Sequence, residues 1–227
     1  LMAERTPHVS GMDDNEFGGD PSPSTAWGVF LAIRTAVKHR LGEDSLQGVR
    51  VAVQGLGHVG YYLAGYLHTA GAKVLGTDVN TENLRRAVKD HAVEAVVPDA
   101  ILGAEVDVFA PCAMGAVLNA NTIPGLRAGI VAGAANNQLA TAADGESLQE
   151  RGILYCPDFL INAGGIIDVH HQRVGSAETE KQAHIQRIEQ TLSEVLSRAD
   201  ESHRRTNDIA EDLARDIIAR AGHPLAA

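Results

Sequence analysis

Lysine, cysteine and aromatic residues are scarce in this 227-residue chain, and the first two shortages exclude particular classes of protein. Only four lysines occur, and Lys plus Arg number 19 against 29 for Asp plus Glu, a net charge of −10. So acidic a chain is a poor partner for a nucleic-acid backbone or an anionic membrane. Cys112 and Cys156 are too few for a disulfide framework and lack metal-ligand spacing, although a single bridge between them stays open.

Long apolar runs are also missing. None approaches the ~20 residues that span a bilayer, and the polar start Leu1–Ser10 lacks the charged-then-apolar order of a signal peptide. We therefore expect a cytoplasmic protein with no membrane partner. The hydrophobic content of 44% is enough for one sizeable globular domain or two small ones.

The order of short apolar runs predicts an α/β fold. An aperiodic lead-in, residues 1–20, precedes a helix that begins near Thr25 and stops at Gly42. Six runs then alternate with helical or loop segments, and they are too continuous for strands buried on one side only. They predict a doubly wound, mainly parallel sheet covered on both faces. The predicted strands are Val49–Gln54, Val74–Thr77, Ala95–Val97, Val106–Phe109, Ile130–Ala132 and Ile153–Tyr155.

The chain beyond Gly165 shows helical rather than strand spacing. Apolar residues recur at helical intervals over Glu178–Asp200 and Thr206–Ala221, which predicts two or three C-terminal helices. We divide the chain into a lead-in loop (1–20), a Rossmann-like dinucleotide-binding domain (21–177) and a helical segment (178–227).

A glycine motif follows the first predicted strand directly and opens a helix. It fits G-x-G-x-x-G, and a second strand ends at Asp78, about 20 residues beyond, as a dinucleotide fingerprint requires. Without this context the glycines would indicate only a strand-to-helix turn. The predicted pyrophosphate-binding residues are Gly55, Leu56, Gly57, His58, Val59 and Gly60.

Asp78 predicts which dinucleotide binds. Its carboxylate accepts hydrogen bonds from the adenosine ribose hydroxyls and repels a 2′-phosphate. Val79, which we also expect to contact the cofactor, and Asn80 supply no basic group that would reverse this preference, so NAD is favoured over NADP.

Four segments at predicted strand ends or helix starts carry a more specific signal than the glycine motif. In these segments the chain resembles the NAD-dependent leucine/valine/phenylalanine/glutamate dehydrogenases, and most closely the leucine dehydrogenase type. The resemblance implies oxidative deamination of an aliphatic or aromatic L-amino acid to its 2-oxo acid. The segments are Asp20–Ala26, Phe109–Ala113, Ala132–Gln138 and Pro157–Gly165.

The resemblance also implies roles for individual residues. Thr25, whose alternative role is to cap a helix, and Asn162 would hold the nicotinamide. Asn136 and Asn137 would bind the nicotinamide ribose and the substrate carboxylate, although one of them could serve the loop backbone instead. Cys112 has no cationic neighbour in sequence and is interpreted as packing rather than as a nucleophile. The backbone wall along the cofactor would be formed by Ala110, Pro111, Cys112 and Ala135.

Ile166 and Val169 fall where the family lines its substrate side-chain pocket. Two branched aliphatic residues would narrow that pocket and favour a branched aliphatic substrate, whereas their alternative role is in the core. The histidines His170 and His171 have no carboxylate or cysteine placed to complete a metal site, so we expect them to be solvated and no metal to bind.

The catalytic groups that the resemblance calls for are missing. In the family, lysines and an aspartate of a preceding domain take up the amine proton and hold the substrate carboxylate. None of Lys38, Lys73, Lys89 or Lys181 corresponds, and we expect all four to be solvated charges. The chain alone is therefore expected to be inactive, its catalytic domain being removed, disordered or supplied by another chain.

Three hypotheses stay open at this point. In the first, the chain is the cofactor-binding part of an amino-acid dehydrogenase, which includes the case of one subunit of a split dehydrogenase. In the second, it is a non-catalytic NAD-binding module or sensor. In the third, it is a different dehydrogenase that uses only these residues. Apolar surface on Glu178–Ala221 should lack a partner within the chain, which predicts association with a second chain or a second copy.

Overall fold

The computed structural model describes residues 19–220. Most of the predicted lead-in loop and the end of the last predicted helix, at Ala221, therefore lie outside the described residues. Within the described range, no helix is both long enough and apolar enough to cross a membrane.

The sheet has six strands, all parallel, in the order β3-β2-β1-β4-β5-β6. This confirms the predicted doubly wound fold, and where a strand bound differs from the expected one, it differs by one or two residues. Val97, for example, lies outside the sheet because the following Pro98 begins a short 3-10 helix. The strands are β1 (Arg50–Gln54), β2 (Lys73–Thr77), β3 (Glu94–Ala95), β4 (Val108–Pro111), β5 (Ile130–Val131) and β6 (Leu154–Tyr155).

Both faces of the sheet are buried. In β1, Val51 and Val53 join one hydrophobic core while Ala52 joins the other, and Val108 and Phe109 of β4 divide in the same way. Alternating side chains of a strand point to opposite faces, so continuous apolar runs are what a sheet covered on both sides requires.

Eight helices surround the sheet in the described part of the chain. They are α1 (Ser22–Leu41), α2 (His58–Thr69), α3 (Thr81–His91), α4 (Ala142–Glu150), α5 (Asp158–Ile161), α6 (Gly164–Val174), α7 (Glu178–Ser202) and α8 (Thr206–Arg220). Proline in the first turn of α1 and the left-handed Gly42 at its end (φ 75°) bound the first helix.

The C-terminal helices differ in how much apolar surface they bury. Ile185, Ile188 and Leu192 of α7 join the core that contains α1, so α7 has a partner within the chain. On α8, Ile209 is buried, whereas Ile217 is 56% exposed and Ile218 is 37% exposed. The expected unpartnered apolar surface is thus confined to the end of α8.

The strand order reverses beside β1, which pairs with β2 on one side and β4 on the other. In open parallel sheets, ligands bind beyond the carboxyl ends of the strands at such a reversal. The loops after β1, β4 and β5 all leave the sheet at this edge.

Candidate functional site

The glycine loop joins β1 to α2 with the geometry of an anion cradle. Gly55 has φ 93°, and its N–H donates to the Thr77 carbonyl at 2.8 Å. A Cβ at Gly60 would overlap the Gly55 carbonyl oxygen, whereas a Cβ at Gly57 would meet nothing within 4 Å. No side chain caps the N-terminus of α2, which begins at His58. Free amides beside open space suit a phosphate group.

Asp78 lies against this loop rather than apart from it. One carboxylate oxygen accepts from the Leu56 N–H at 2.7 Å, and the other accepts from the Asn80 N–H at 2.7 Å. Val79, the next residue, is 92% exposed. The structure therefore brings the predicted carboxylate to the rim of the glycine loop, where it is half-buried and fixed by backbone donors.

Two arginines of α3 follow Asp78 in sequence, and each is engaged by another group. Arg85 forms a bidentate pair with Glu82 at 2.9 and 2.7 Å. The guanidinium of Arg86 lies over the Tyr61 ring, 4.0 Å from its centroid. Neither contact directs a positive charge towards Asp78.

The segment after β4 forms the opposite wall of the loop. Ala110 and Pro111 are buried, and the Cys112 N–H donates to the Gln54 carbonyl at 2.7 Å. A Cβ at Gly55 would lie 2.8 Å from that of Ala113, so the two chain segments are in close contact. Burial raises the pKa of Cys112 to about 12, although a backbone hydrogen bond from Ala134 opposes the rise.

Neither thiol should react in the folded protein. Burial also raises the pKa of Cys156 to about 12, and both cysteines are free rather than bridged. The raised pKa values keep both groups in the thiol form at pH 8, and the thiolate is the nucleophile. A chromogenic disulfide reagent should therefore label two thiols after unfolding and neither before it. Rapid labelling of native protein, lost in Cys112→Ala, would contradict this assignment.

The loop after β5 is held by a buried glutamine. The side-chain amide of Gln138 donates to the carbonyls of Gly133 and Ala135 at 2.7 and 2.9 Å, and its backbone N–H donates to Asp158 at 3.1 Å. These bonds satisfy the loop backbone. Gln138 therefore has the role that was considered above as an alternative for Asn136 or Asn137. Asn136 and Asn137 are therefore left exposed.

Asn136 and Asn162 meet across the crevice. The Asn162 amide donates to Asn136 Oδ1 at 2.6 Å and to the Ala134 carbonyl at 3.2 Å. Asn137 adopts the left-handed conformation (φ 53°), and its carbonyl accepts from the Ala116 N–H at 2.6 Å. The loop after β5 thus contacts both the segment after β4 and the turn before α6.

The starts of α1 and α6 are packed backbone against backbone. A Cβ at Gly164 would overlap the Ser24 carbonyl oxygen, and one at Gly165 would overlap Thr25 Oγ1. The Thr25 hydroxyl donates to the Pro21 carbonyl at 3.0 Å, a bond to its own helix that leaves its lone pairs available. Thr25 is thereby placed beside Gly165, which follows Asn162 by three residues.

Ile166 and Val169 lie three residues apart on α6 and so share a helix face. Ile166 is 70% exposed and Val169 is partly buried. The alternative core role is therefore wrong for Ile166, and the pair presents apolar surface next to the Gly164–Gly165 turn.

The carboxylate between them went unnoticed in the sequence. Asp168 is 4% exposed and accepts from the Ser24 hydroxyl at 2.5 Å, while Lys181 Nζ lies 3.4 Å away. The expectation that Lys181 is solvated is therefore wrong, because 19% of its side chain is exposed and it also pairs with Glu178. The sequence signal was a carboxylate with apolar neighbours, Ile167 and Val169, in the first half of a helix.

The histidines divide into solvated and packed members. His58 is exposed at the glycine loop, with Nδ1 3.6 Å from Asp20 Oδ2, and His170 is exposed as expected. His171 instead contacts His184 at 3.1 Å between α6 and α7, a correction to the expectation of solvent. Across residues 19–220, no three side chains of the metal-binding types come together as a metal site.

A separate cavity of about 400 Å³ lies between α4, β6 and the α7–α8 turn, away from the crevice. Its arginines are already engaged. Arg205 pairs with Asp208 at 2.9 Å, Arg204 pairs with Asp212 at 2.8 Å, and Arg40 donates to the Gly152 carbonyl. The cavity offers no comparable convergence of loops.

Comparisons with known proteins agree with this geometry. The family model described as Glutamate/Leucine/Phenylalanine/Valine dehydrogenase matches residues 20–83 and 77–221. Leucine dehydrogenase of Geobacillus stearothermophilus is 41% identical over 220 residues, which cover 96% of this chain and 60% of that protein. L-tryptophan dehydrogenase of Nostoc punctiforme is 41% identical over 97% of this chain and 62% of its own length.

A solved structure has a similar fold. The crystal structure of L-tryptophan dehydrogenase from Nostoc punctiforme superposes with a TM-score of 0.86 and 40% identity, over 91% of this chain and 62% of that one. The chain thus spans about three-fifths of the length of the relatives it matches.

Proposed function

Because the chain belongs to the glutamate/leucine/phenylalanine/valine dehydrogenase family, we propose that residues 21–177 form the NAD-binding domain of an amino-acid dehydrogenase and residues 178–227 its helical segment. The observation that carries the proposal is the convergence of the glycine loop, Asn136, Asn162 and Thr25 at one sheet edge. The proposed reaction is oxidative deamination of an aliphatic or aromatic L-amino acid, the substrate class suggested by the names of the relatives.

The adenosine half of NAD fits the glycine loop. The open space over Gly57 and the uncapped amides of α2 would receive the pyrophosphate. Asp78 would accept from the adenosine ribose hydroxyls, in addition to the backbone donors that already fix it. A 2′-phosphate there would face a carboxylate with no compensating arginine from α3, which favours NAD over NADP.

The nicotinamide half fits between the starts of α1 and α6. The Thr25 hydroxyl and the Asn162 amide would hold the carboxamide, Asn136 would hold the ribose, and the backbone of Ala110, Pro111, Cys112 and Ala135 would flank the ring. When bound, the nicotinamide accepts a hydride from the substrate. The part of this chain is to fix which face of the ring meets the substrate, by contacts on both sides of it.

The substrate would lie between the ring and α6. The neutral amide of Asn137 would meet its carboxylate, and Ile166 and Val169 would contact its side chain. A well-filled methyl-sized gap in such a pocket is worth about 1–3 kcal/mol of discrimination. The two branched residues favour a branched aliphatic substrate.

The catalytic base is not expected from the lysines of this chain. Lys73 opens β2 and lies at the sheet edge opposite the crevice, and Lys38 pairs with Asp44 at 2.6 Å. Lys181 contacts the helix of Ile166 through Asp168. Its partial burial opposes protonation, but hydrogen bonds and the charges of Glu178 and Asp168 raise the pKa of Lys181. A lysine with a raised pKa is a poor proton acceptor at neutral pH.

A turnover assay tests this division of labour. We expect no NADH formation when this chain alone is given NAD with leucine, valine or phenylalanine. If the reading frame continues upstream into a glycine-rich, lysine-containing domain, the longer product should oxidise a branched aliphatic amino acid. Turnover by the chain alone would contradict the proposed absence of the base.

A non-catalytic NAD-binding module is the alternative. It would need the glycine loop and Asp78 but neither Asn137 nor the apolar pair on α6, and the presence of both favours the dehydrogenase.

The exposed Ile217 and Ile218 of α8 would be covered in the assembled protein by a second chain or copy. Sedimentation of the purified chain, with Ile217→Ser as the comparison, tests the proposed association.

A further inference from the structure

Asp168 is a buried carboxylate with partners from three helices. It accepts from the Ser24 hydroxyl of α1 at 2.5 Å and from the Gln172 amide of its own helix at 3.1 Å, and Lys181 of α7 lies 3.4 Å from it. Gln172 also donates to the Gly19 carbonyl at 3.3 Å, which ties in the segment that leads into α1.

A buried carboxylate is costly unless charge and hydrogen bonds compensate it. Lys181 supplies the charge and Ser24 and Gln172 supply the hydrogen bonds, so the site is complete. Apolar side chains could hold these helices together without a desolvation cost. A buried ion pair, by contrast, leaves an uncompensated charge when one partner is lost. A polar network at this place gives the contact a single geometry.

The network lies directly behind the proposed nicotinamide and substrate groups. Ser24 precedes Thr25, and the Ser24 carbonyl is in contact with Gly164. Asp168 stands between Ile166 and Val169 on α6. The bond between Ser24 and Asp168 therefore joins the helix turn that carries Thr25 to the helix that carries the apolar pair.

We propose that Asp168 is a positioning residue that acts through Ser24 and sets the first turn of α1 against α6, and so sets Thr25 relative to Ile166 and Val169. The inference rests on the proposed function, because it assigns the network to the nicotinamide half of the NAD site. The adenosine half, at Gly57 and Asp78, has no bond to the network.

Comparing NADH with ADP-ribose, which lacks the nicotinamide, separates the two halves. By titration calorimetry, Ser24→Ala should reduce the advantage of NADH over ADP-ribose by about tenfold, the effect of losing one good hydrogen-bonded contact. The ADP-ribose affinity should stay within about twofold of the wild-type value, since the adenosine half is untouched. Asp168→Asn should act in the same direction, because one amide oxygen cannot replace two carboxylate oxygens.

Ser22→Ala is the matched control. Ser22 is also a buried serine in the first turn of α1, but its hydroxyl makes no bond to Asp168. The control should keep the full NADH advantage. Should Asp168→Asn fail to fold, Ser24→Ala still decides, because it leaves the pair of Asp168 and Lys181 in place.

The outcomes are distinguishable. If wild-type protein binds neither NADH nor ADP-ribose, the proposed function itself fails. If it binds both but Ser24→Ala keeps the full NADH advantage, or if NADH has no advantage to lose, the positioning role of Asp168 is overturned while the adenosine site stands.

Discussion

Replacing Gly57 with alanine is expected to weaken NAD binding by roughly 100-fold, about 2.7 kcal/mol, and to leave the melting temperature nearly unchanged. Gly57 has φ −66°, which any residue can adopt, and an added Cβ meets nothing within 4 Å. The fold therefore tolerates the methyl group. The pyrophosphate would not, because the methyl occupies the space through which the loop amides reach it. Titration calorimetry and thermal unfolding measure the two effects.

Alanine substitutions at two other glycines serve as controls for Gly57→Ala. Gly60→Ala should lose both NAD binding and about 1–3 kcal/mol of stability, because its Cβ would overlap the Gly55 carbonyl oxygen and only backbone movement relieves it. Gly125→Ala, where an added Cβ also meets nothing, should change neither property. Unchanged NAD affinity in Gly57→Ala would show that no pyrophosphate lies against this loop.

Replacing Asp78 with serine is expected to shift the ratio of NAD to NADP affinity by roughly 30-fold or more towards NADP. A hydrogen bond to a charged group contributes about 1.5–3 kcal/mol, which NAD loses, and NADP escapes the repulsion of its 2′-phosphate. The ratio is the informative quantity. Asp78 also accepts from the Leu56 N–H, so a looser loop would weaken both dinucleotides together.

Asp99→Ser is the charge-matched control for this experiment. Asp99 is exposed in the short 3-10 helix Pro98–Ala100, and its replacement changes the net charge equally. Its ratio should equal that of the wild type. If Asp99→Ser shifts the ratio as far as Asp78→Ser does, the preference would come from overall charge and not from a carboxylate at the ribose.

Much of the fold is predictable because one physical signal repeats along the chain. A strand buried on both faces is apolar along its buried stretch, as at Val51–Val53 of β1, at Val74 and Leu75 of β2 and throughout β4. The bounds are least accurate at β4, which begins and ends two residues later than predicted, and at β3, which ends two residues earlier than predicted. The glycine loop and Asp78 were predictable for another local reason, because a phosphate-binding loop needs glycines at fixed positions between a strand and a helix.

The rest of the site depends on contacts between distant residues. Ser24 and Asp168 are 144 positions apart, and neither residue type indicates the other. Lys181 and His171 have partners that appear only once α6 and α7 are packed, so both were wrongly expected to be solvated. Gln138 likewise belongs to a segment that was singled out in the sequence, Ala132–Gln138. That its side chain, and not Asn136 or Asn137, binds the loop backbone follows only from its buried hydrogen bonds.

A titration of the purified chain with NAD and, in parallel, with NADP tests the central claim most directly. The arrangement of the glycine loop and Asp78 predicts one saturable NAD site per chain and NADP binding at least about 30-fold weaker. Equal binding of the two dinucleotides, or binding of neither, would contradict the assignment of the crevice as an NAD site.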